Sequence, residues 1–361
     1  MISKEILVIY PETDTTKIAI YRGDNIIFLK TIKHKPEELA AFKFIVDQID
    51  FRYQNILKEL RDNDISTENI AIVVARGGLI KPLKKAGVYQ INEKMVADLR
   101  EGSQGIHETN LGGILAHLLA KIFPNSKGIL ADPVVVDELD EIARVTGHPL
   151  FKRKSIFHAL NQKYVARKYA KSNGKCYDDL RLVVAHVGGG GTSIGVHKRG
   201  KVIDVNQAFD GGGPFSLMRS GSLPVGKLIE ICFSGKYSEQ EIRRMVTSEG
   251  GLKAYLGTAN IHEINQRIEN GDTEAEFYAK AMGYQIAKYI GSACAVLDFN
   301  VDAIILSGQI FTYARFTEYV SFKIQKIAPI AVYQGVNDMD ALAMNAFLAL
   351  KGDIEIYDYD N

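Results

Sequence analysis

One short pattern occurs twice, about half the chain apart, and it narrows the possible folds more than any other feature. Residues 6–20 read ILVIYPETDTTKIAI and residues 182–196 read LVVAHVGGGGTSIGV. Each copy is an apolar run, a polar or glycine-rich loop, then Thr followed by a second alternating apolar run. Thr16-Lys17-Ile18-Ala19-Ile20 lies over Thr192-Ser193-Ile194-Gly195-Val196. A basic turn follows both, Arg22-Gly23-Asp24 and Lys198-Arg199-Gly200. Apolar alternation around a turn signal predicts a β-hairpin, and its turn leaves backbone N–H groups open to an anion. Two facing copies would form a nucleotide cleft between two related domains.

A chain of 361 residues has room for about two domains. The formal net charge of +1 argues against a general nucleic-acid or anionic-membrane surface, so any anionic ligand must be met by local charge. Cys176, Cys232 and Cys294 are far apart and lack CxxC spacing, which fits a reduced protein without a disulfide framework or zinc site. The N-terminus enters a strand at once, and no apolar run is long enough to span a bilayer. The expected location is the cytoplasm.

Strands are predicted at 4–10, 16–21 and 25–31, forming a meander. Helical apolar spacing runs through 36–62 (Leu39, Phe42, Ile45, Val46, Ile49, Tyr53, Ile56, Leu57, Leu60). A strand over 70–74 ends in Arg76-Gly77-Gly78. Helices follow at 93–101 and 110–122, and a strand at 128–131 stops at Asp132-Pro133. The second unit repeats the meander from Leu182 to 205. It continues with helices at 225–233, 239–246, 258–269 and 272–297, a strand at 303–306, another near 328–333 and a helix over 338–350. No linker separates the halves, so the boundary is expected within or beside a helix in the 150–180 region. The expected domains are 1–155, joined by the C-terminal helix 336–361, and 156–335. This order predicts an α/β chain of two duplicated RNase-H-like domains, as in the actin, heat-shock-ATPase and sugar-kinase superfamily.

The chain also resembles the butyrate kinases, within the acetate and short-chain fatty-acid kinase family, nearly end to end. The matching residues are Ala75 to Leu79 (ARGGL), Gly105 to Gly112 (GIHETNLG), Ala131-Asp132-Pro133, His148-Pro149 through Asn161-Gln162-Lys163, His186 to Thr192, Asp210 to Pro214 and Met218 to Gly221. Their shared order and spacing carry the resemblance. It implies transfer of the γ-phosphoryl group of ATP to a short carboxylic acid with Mg2+, and a homo-oligomer, dimer or higher.

The nucleophile would be a carboxylate, already ionised at neutral pH. No base is needed. The difficulty is bringing two anions together and stabilising the transferring phosphoryl oxygens, work for arginines, a metal and backbone N–H groups. Arg76 and Arg219 each stand beside glycine after a predicted strand or turn, where glycine lets a substrate approach the backbone. The resemblance places both at the acyl carboxylate and the transferring phosphoryl; surface arginines at strand ends are the alternative. His158 resembles the family histidine that donates a hydrogen bond to that phosphoryl group, and His107 a second, weaker site histidine. Either could instead hold a loop. Asp132 resembles the aspartate that orients an arginine or reaches metal-bound water, and is otherwise a turn residue before Pro133. The loop His186-Val187-Gly188-Gly189-Gly190-Gly191-Thr192 is the best phosphate loop, for four glycines leave N–H groups unobstructed. Asp210-Gly211-Gly212-Gly213 is a second glycine-rich loop. The resemblance puts both in the nucleotide cleft with Thr13, Thr15 and Thr16, sets the base on Ser307-Gly308-Gln309, and puts a metal-linked acid at Asp338 or Asp340. Acidic residues at a helix start are also good caps.

Two loops depart from the family. The first usually reads Asn-Pro-Gly-Ser-Thr-Ser-Thr-Lys and here reads Tyr10-Pro11-Glu12-Thr13-Asp14-Thr15-Thr16-Lys17. The usual Thr-Gly-Gly is Ser307-Gly308-Gln309. Glu12 and Asp14 add charge that repels ATP without a cation, or that replaces the lost asparagine as a magnesium ligand. A glutamate also forbids easy positive φ. Weakened nucleotide use, or a regulatory relative that binds without turnover, is therefore the alternative function. An actin-like or heat-shock-type ATPase is disfavoured because Tyr10 stands where those chains usually carry an aspartate.

Overall fold

The computed structural model describes residues 4–102, 104–188, 191–335 and 338–360. The chain forms two compact units, Met1–Val136 with Asn337–Asn361, and Asp137–Val336. Strands are numbered along the chain. The first unit holds β1 (Glu5–Pro11), β2 (Thr15–Arg22), β3 (Asn25–Lys33), β4 (Ile70–Arg76), β5 (Val88–Gln90), β6 (Lys127–Ala131) and, from the C-terminal segment, β12 (Ile356–Tyr357). The second holds β7 (Arg181–Val187), β8 (Thr192–Lys198), β9 (Lys201–Val205), β10 (Ala303–Gly308) and β11 (Ile330–Gln334).

The first sheet runs β12-β5-β6-β4-β1-β2-β3. Its centre is parallel, β1 beside β4 beside β6, and β1-β2-β3 is an antiparallel meander. Strands covered on both faces read as unbroken apolar runs, as β1 and β4 do. Leu7, Ile9, Val73 and Ala75 join one core with Ile56 and Leu60 of the helix Ile49–Asp62 and with Leu111 and Leu115 of the helix Thr109–Ile122. The second sheet runs β11-β10-β7-β8-β9, with β7, β10 and β11 parallel and β7-β8-β9 antiparallel. Along β7 the side chains alternate faces. Leu182 and Val184 pack with Val165 and Ala166 of the helix Ala159–Ser172, while Val183 and Ala185 pack with Ile286 and Ile290 of the helix Thr273–Ala295.

The orders β3-β2-β1-β4-β6 and β9-β8-β7-β10-β11 are the same, so the duplicated hairpin does mark a duplicated sheet. Three features differ from expectation. The helix anticipated over 36–62 is broken into Pro36–Leu39, a 3-10 turn Ile45–Gln48 and Ile49–Asp62. Phe44 is extended there, and its N–H donates to Asp47 Oδ2 at 3.0 Å, which starts a new helical segment. Helices at Gly251–Leu256 and Ala314–Ile324 are additional. The units divide at Val136/Asp137, earlier than the expected residue 155. Residues just past that point belong to the second sheet's unit, since Glu138 accepts from Lys163 Nζ at 2.7 Å and from Val202 N at 2.9 Å, and Asp140 N donates to Ile203 O. No helix among the described residues is long and apolar enough to cross a membrane.

Candidate active site

In an α/β sheet, ligands gather outside the carboxyl ends of the parallel strands. In the first unit those ends carry Tyr10 on β1, Arg76 on β4 and Asp132 just past β6. Arg76 Nη1 donates to Tyr10 Oη at 2.8 Å, and the guanidinium lies 5.3 Å from the Tyr10 ring centre. The Tyr10 hydroxyl in turn donates to Asp338 Oδ2, at the start of the helix Asp338–Lys351. Burial raises the Tyr10 phenol well above its usual range; Arg76 opposes the rise and Asp338 adds to it. The phenol therefore stays protonated, a fixed link between a cation and an anion. Asp132 is buried in a left-handed conformation (φ 37°), and its N–H donates to Gly87 O at 2.9 Å. The glycines after Arg76 have a packing reason of their own. A Cβ on Gly77 would fall 2.5 Å from Pro133 Cβ, and one on Gly78 2.7 Å from Asn110 Oδ1. His107 is half-exposed, and its Nδ1 accepts from Thr109 N at 3.2 Å, fastening the start of the helix Thr109–Ile122.

The first hairpin loop is gripped from inside by Arg52, a residue the sequence reading passed over. Arg52 is fully buried; its Nη1 donates to Glu12 O, Thr15 O and Thr16 Oγ1, and its Nη2 to Thr13 O, at 2.8–3.0 Å. The available signal was an arginine inside the apolar stripe Ile49, Ile56, Leu60 of an amphipathic helix. Thr16, expected at ATP, is buried, and its hydroxyl is used by His34 (2.8 Å) and Arg52. Thr15 Oγ1 donates to Glu12 Oε2 at 2.7 Å, and Thr13 and Asp14 are exposed. Glu12 is paired with Lys17 Nζ at 2.9 Å, so much of its charge is already answered. None of residues 12–15 has a positive φ, so glutamate at 12 costs the backbone nothing.

In the second unit the glycine loop is shaped by two functional candidates. A Cβ on Gly188 would sit 2.8 Å from His158 Nε2, and one on Gly191 would sit 2.5 Å from Arg219 Nη1. Gly188 has no positive φ. Close approach is what demands glycine there. Gly189 and Gly190 lie outside the described residues. His158 Nδ1 bonds Ser193 Oγ at 2.9 Å, and its ring centre is 4.8 Å from that of His186. Asn161 Nδ2 faces His186 Nε2 at 3.3 Å; as Asn161 can only donate, His186 Nδ1–H donates to Ser307 Oγ at 2.9 Å. Arg219 donates to Ala208 O and stacks 5.0 Å from the Phe209 ring centre. Thr192 Oγ1 is buried with no hydrogen-bond partner among the described residues, a vacancy that a phosphate oxygen suits. Gly211 and Gly213 take positive φ (106° and 80°), and Gly212 packs on Gln207 O, so this loop needs glycine for its own turn. Asp210 accepts from Gln207 Nε2. Ser307 is buried, Gly308 crosses within 2.2 Å (from a built Cβ) of Val187 O, and Gln309 Nε2 is 3.2 Å from His262 Nε2.

Among the described residues no three His, Cys, Asp or Glu side chains converge on a metal position. Of the four acidic candidates, Asp340 accepts from Tyr21 Oη at 2.7 Å, Glu12 is held by Lys17, Asp14 is exposed, and Asp338 meets the Tyr10–Arg76 pair. One carboxylate beside an arginine fits magnesium, which keeps most of its waters and takes its other ligands from substrate phosphates.

Residues 144–343 match the model of the acetokinase family. The chain is 49% identical over 355 residues to butyrate kinase 2 of Clostridium acetobutylicum, covering 98% of this chain and 99% of that one. It is 44% identical over 359 residues to a probable butyrate kinase of Bacteroides thetaiotaomicron, with 98% and 99% covered. In fold it is similar to an acetate kinase from Porphyromonas gingivalis, with a TM-score of 0.78 at 18% identity over 96% of this chain and 100% of that one.

Proposed function

Because the chain belongs to the acetokinase family, we propose that it transfers the γ-phosphoryl group of ATP to butyrate or a branched-chain analogue, giving ADP and the acyl phosphate. The observation that carries this is the shaping of one glycine loop around both His158 and Arg219. A carboxylate oxygen attacks the γ-phosphorus in line, the bond to the β-phosphate oxygen breaks, and ADP leaves with that electron pair. No proton moves, so no general base is required. Arg76 and Arg219 meet the charge of the carboxylate and the transferring phosphoryl group, and His158 donates a hydrogen bond to it. Gly188 to Thr192 with Asp210-Gly211-Gly212 bind the nucleotide phosphates, and Ser307-Gly308-Gln309 supports the base. Asp132 orients the arginine side of the site. Asp338 is the residue that would hold magnesium, which supplies charge neutralisation to the phosphates when bound. The reaction is set in the cytoplasm, and the acting form is a homo-oligomer.

The test is an assay with ATP, magnesium and hydroxylamine across acetate, propionate, butyrate and isobutyrate. Acyl hydroxamate formed best from butyrate or isobutyrate is expected; none from any acid would overturn the proposal. The second reading, a relative that binds acid or nucleotide without turnover, is favoured by Tyr10 and Glu12 in the first loop. Calorimetry showing tight binding with no ADP released would select it.

A further inference from the structure

Behind His158 runs a chain of buried hydrogen bonds that ends far along β8. Ser193, Gly195 and His197 alternate along β8 and so share one face, opposite the face whose Ile194 and Val196 pack into the core with the helix Thr273–Ala295. On the first face Gln162, from the helix Ala159–Ser172, bridges two of the three. Its Nε2 donates to Ser193 Oγ at 2.8 Å, and its Oε1 accepts from His197 Nε2 at 2.9 Å. Tyr177 Oη and His197 Nδ1 are 2.7 Å apart, and Ser193 Oγ and His158 Nδ1 2.9 Å. Gln162, Ser193 and His197 are wholly buried. Burial, with Lys163 and Arg167 adding, holds His197 neutral, well below the usual histidine range.

These partners set the protons from Tyr177 to Ser193 in one direction. His197 donates from Nε2, so its bare Nδ1 accepts from Tyr177. Gln162 gives one N–H to Ser193 Oγ, which leaves the Ser193 O–H to point at His158 Nδ1. With that bond made, His158 carries its proton on Nε2, the atom facing Gly188. Gly195 makes room for the bridge, since a Cβ there would fall 2.1 Å from Gln162 Oε1. The first copy of the hairpin has Ala19 at this place and no such bridge to accommodate.

We propose that Gln162 and His197 are positioning residues that hold His158 as the Nε2–H tautomer, aimed into the glycine loop to donate to the transferring phosphoryl group. Because this rests on the kinase reading, its test has a readout independent of activity. In the full-length chain labelled with 15N-histidine, His158 is identified by the signal lost in His158→Asn. Its Nε2 is expected in the protonated class and Nδ1 in the bare class. Gln162→Glu keeps the side chain's size but has no N–H to give. Ser193 then donates to the carboxylate and accepts from His158, so the tautomer inverts. The rate constant kcat is expected to fall about tenfold or more, with KM for butyrate within about threefold. Gly195→Ala attacks the same bridge from the strand and should give the same loss in kcat. An Nδ1–H tautomer in the parent, an unmoved tautomer in Gln162→Glu, or unchanged kcat in both variants would overturn the proposal. If the parent forms no acyl phosphate, the kinase reading fails by itself, and the tautomer measurement still decides the role of the bridge.

Discussion

In the first hairpin Glu12 N donates to Thr15 O at 2.9 Å, and in the second Gly188 N donates to Gly191 O at 2.9 Å. The strands on either side pair alike, Pro11 with Thr16 and Val187 with Thr192. The strands are therefore closed at the same register on both sides, yet the neighbours of the two loops differ. Arg52 fills the space under the first loop and takes up its carbonyls. Under the second, that kind of space is left to His158 and Arg219, which press so close that only glycine fits. One duplicated loop is braced by an internal arginine, and the other is crowded by a histidine and an arginine. At Gly188 and Gly191 glycine is thus explained by what approaches the chain.

The contrast can be broken by measurement. The largest effect is expected from Arg219→Ala, which should lower kcat/KM by about a thousandfold or more, the scale of arginines that stabilise a transferring phosphoryl group. A loss below tenfold would remove Arg219 from the reaction. Next is Arg52→Ala, which leaves the carbonyls of Glu12, Thr13 and Thr15 without their donor and should cost about 3–5 kcal/mol in chemical denaturation. A cost under about 1 kcal/mol would show that the first loop needs no brace.

His34 belongs to the same brace. Burial, with Arg52 adding, lowers its pKa to about 4, against about 6.5 when unfolded. The unfolded chain therefore binds the extra proton between those values. The contribution of His34 is fully present above about pH 6.5 and is lost as pH falls towards about 4, roughly 2–3 kcal/mol in all. Denaturation midpoints at pH 7 and pH 4.5 should differ more in the parent than in His34→Gln.

A matched pair sharpens the comparison directly. Gly191→Ala should cut kcat/KM about a hundredfold by displacing Arg219, while Thr15→Ala, at the equivalent place in the first loop, should stay within about threefold. Equal losses would make the two turns functionally alike. The smallest change is expected from Glu12→Gly, which should tighten the ATP dissociation constant a few-fold, since Lys17 already answers most of that charge. Unchanged or weaker affinity would show that Glu12 does not oppose the nucleotide.

The fold was legible where a period and a repeat reinforced each other. The paired hairpins predict a duplicated domain, which the matching strand orders of both sheets show, and the apolar runs around Val73 and Ile305 predict buried strands. The break at Phe44 was hidden because Phe42, Ile45 and Val46 keep helical spacing across it, while a local cap by Asp47 decides the matter. In the candidate site, Arg76 and Arg219 stood out through their glycine neighbours and His158 through the family resemblance. Arg52 and Gln162 did not, because both lie on helix faces that otherwise look like core. A polar residue in an apolar stripe was the one sign available, and only the partner across the packed face gives it meaning.

The helix Asp338–Lys351 and β12 return to the first unit after the second is complete, and the buried Tyr359 bonds Asp98 there. On a ribosome the second unit, one unbroken stretch from Asp137 to Val336, can therefore close as it emerges, while the first waits, with part of its core uncovered, for the segment after Val336 to be translated. Asp338 arrives with that segment. Tyr10 and Arg76, made before the second unit, gain their acidic partner only after it, so a chain ended within the second unit would hold the first hairpin without the link that joins its arginine to a carboxylate.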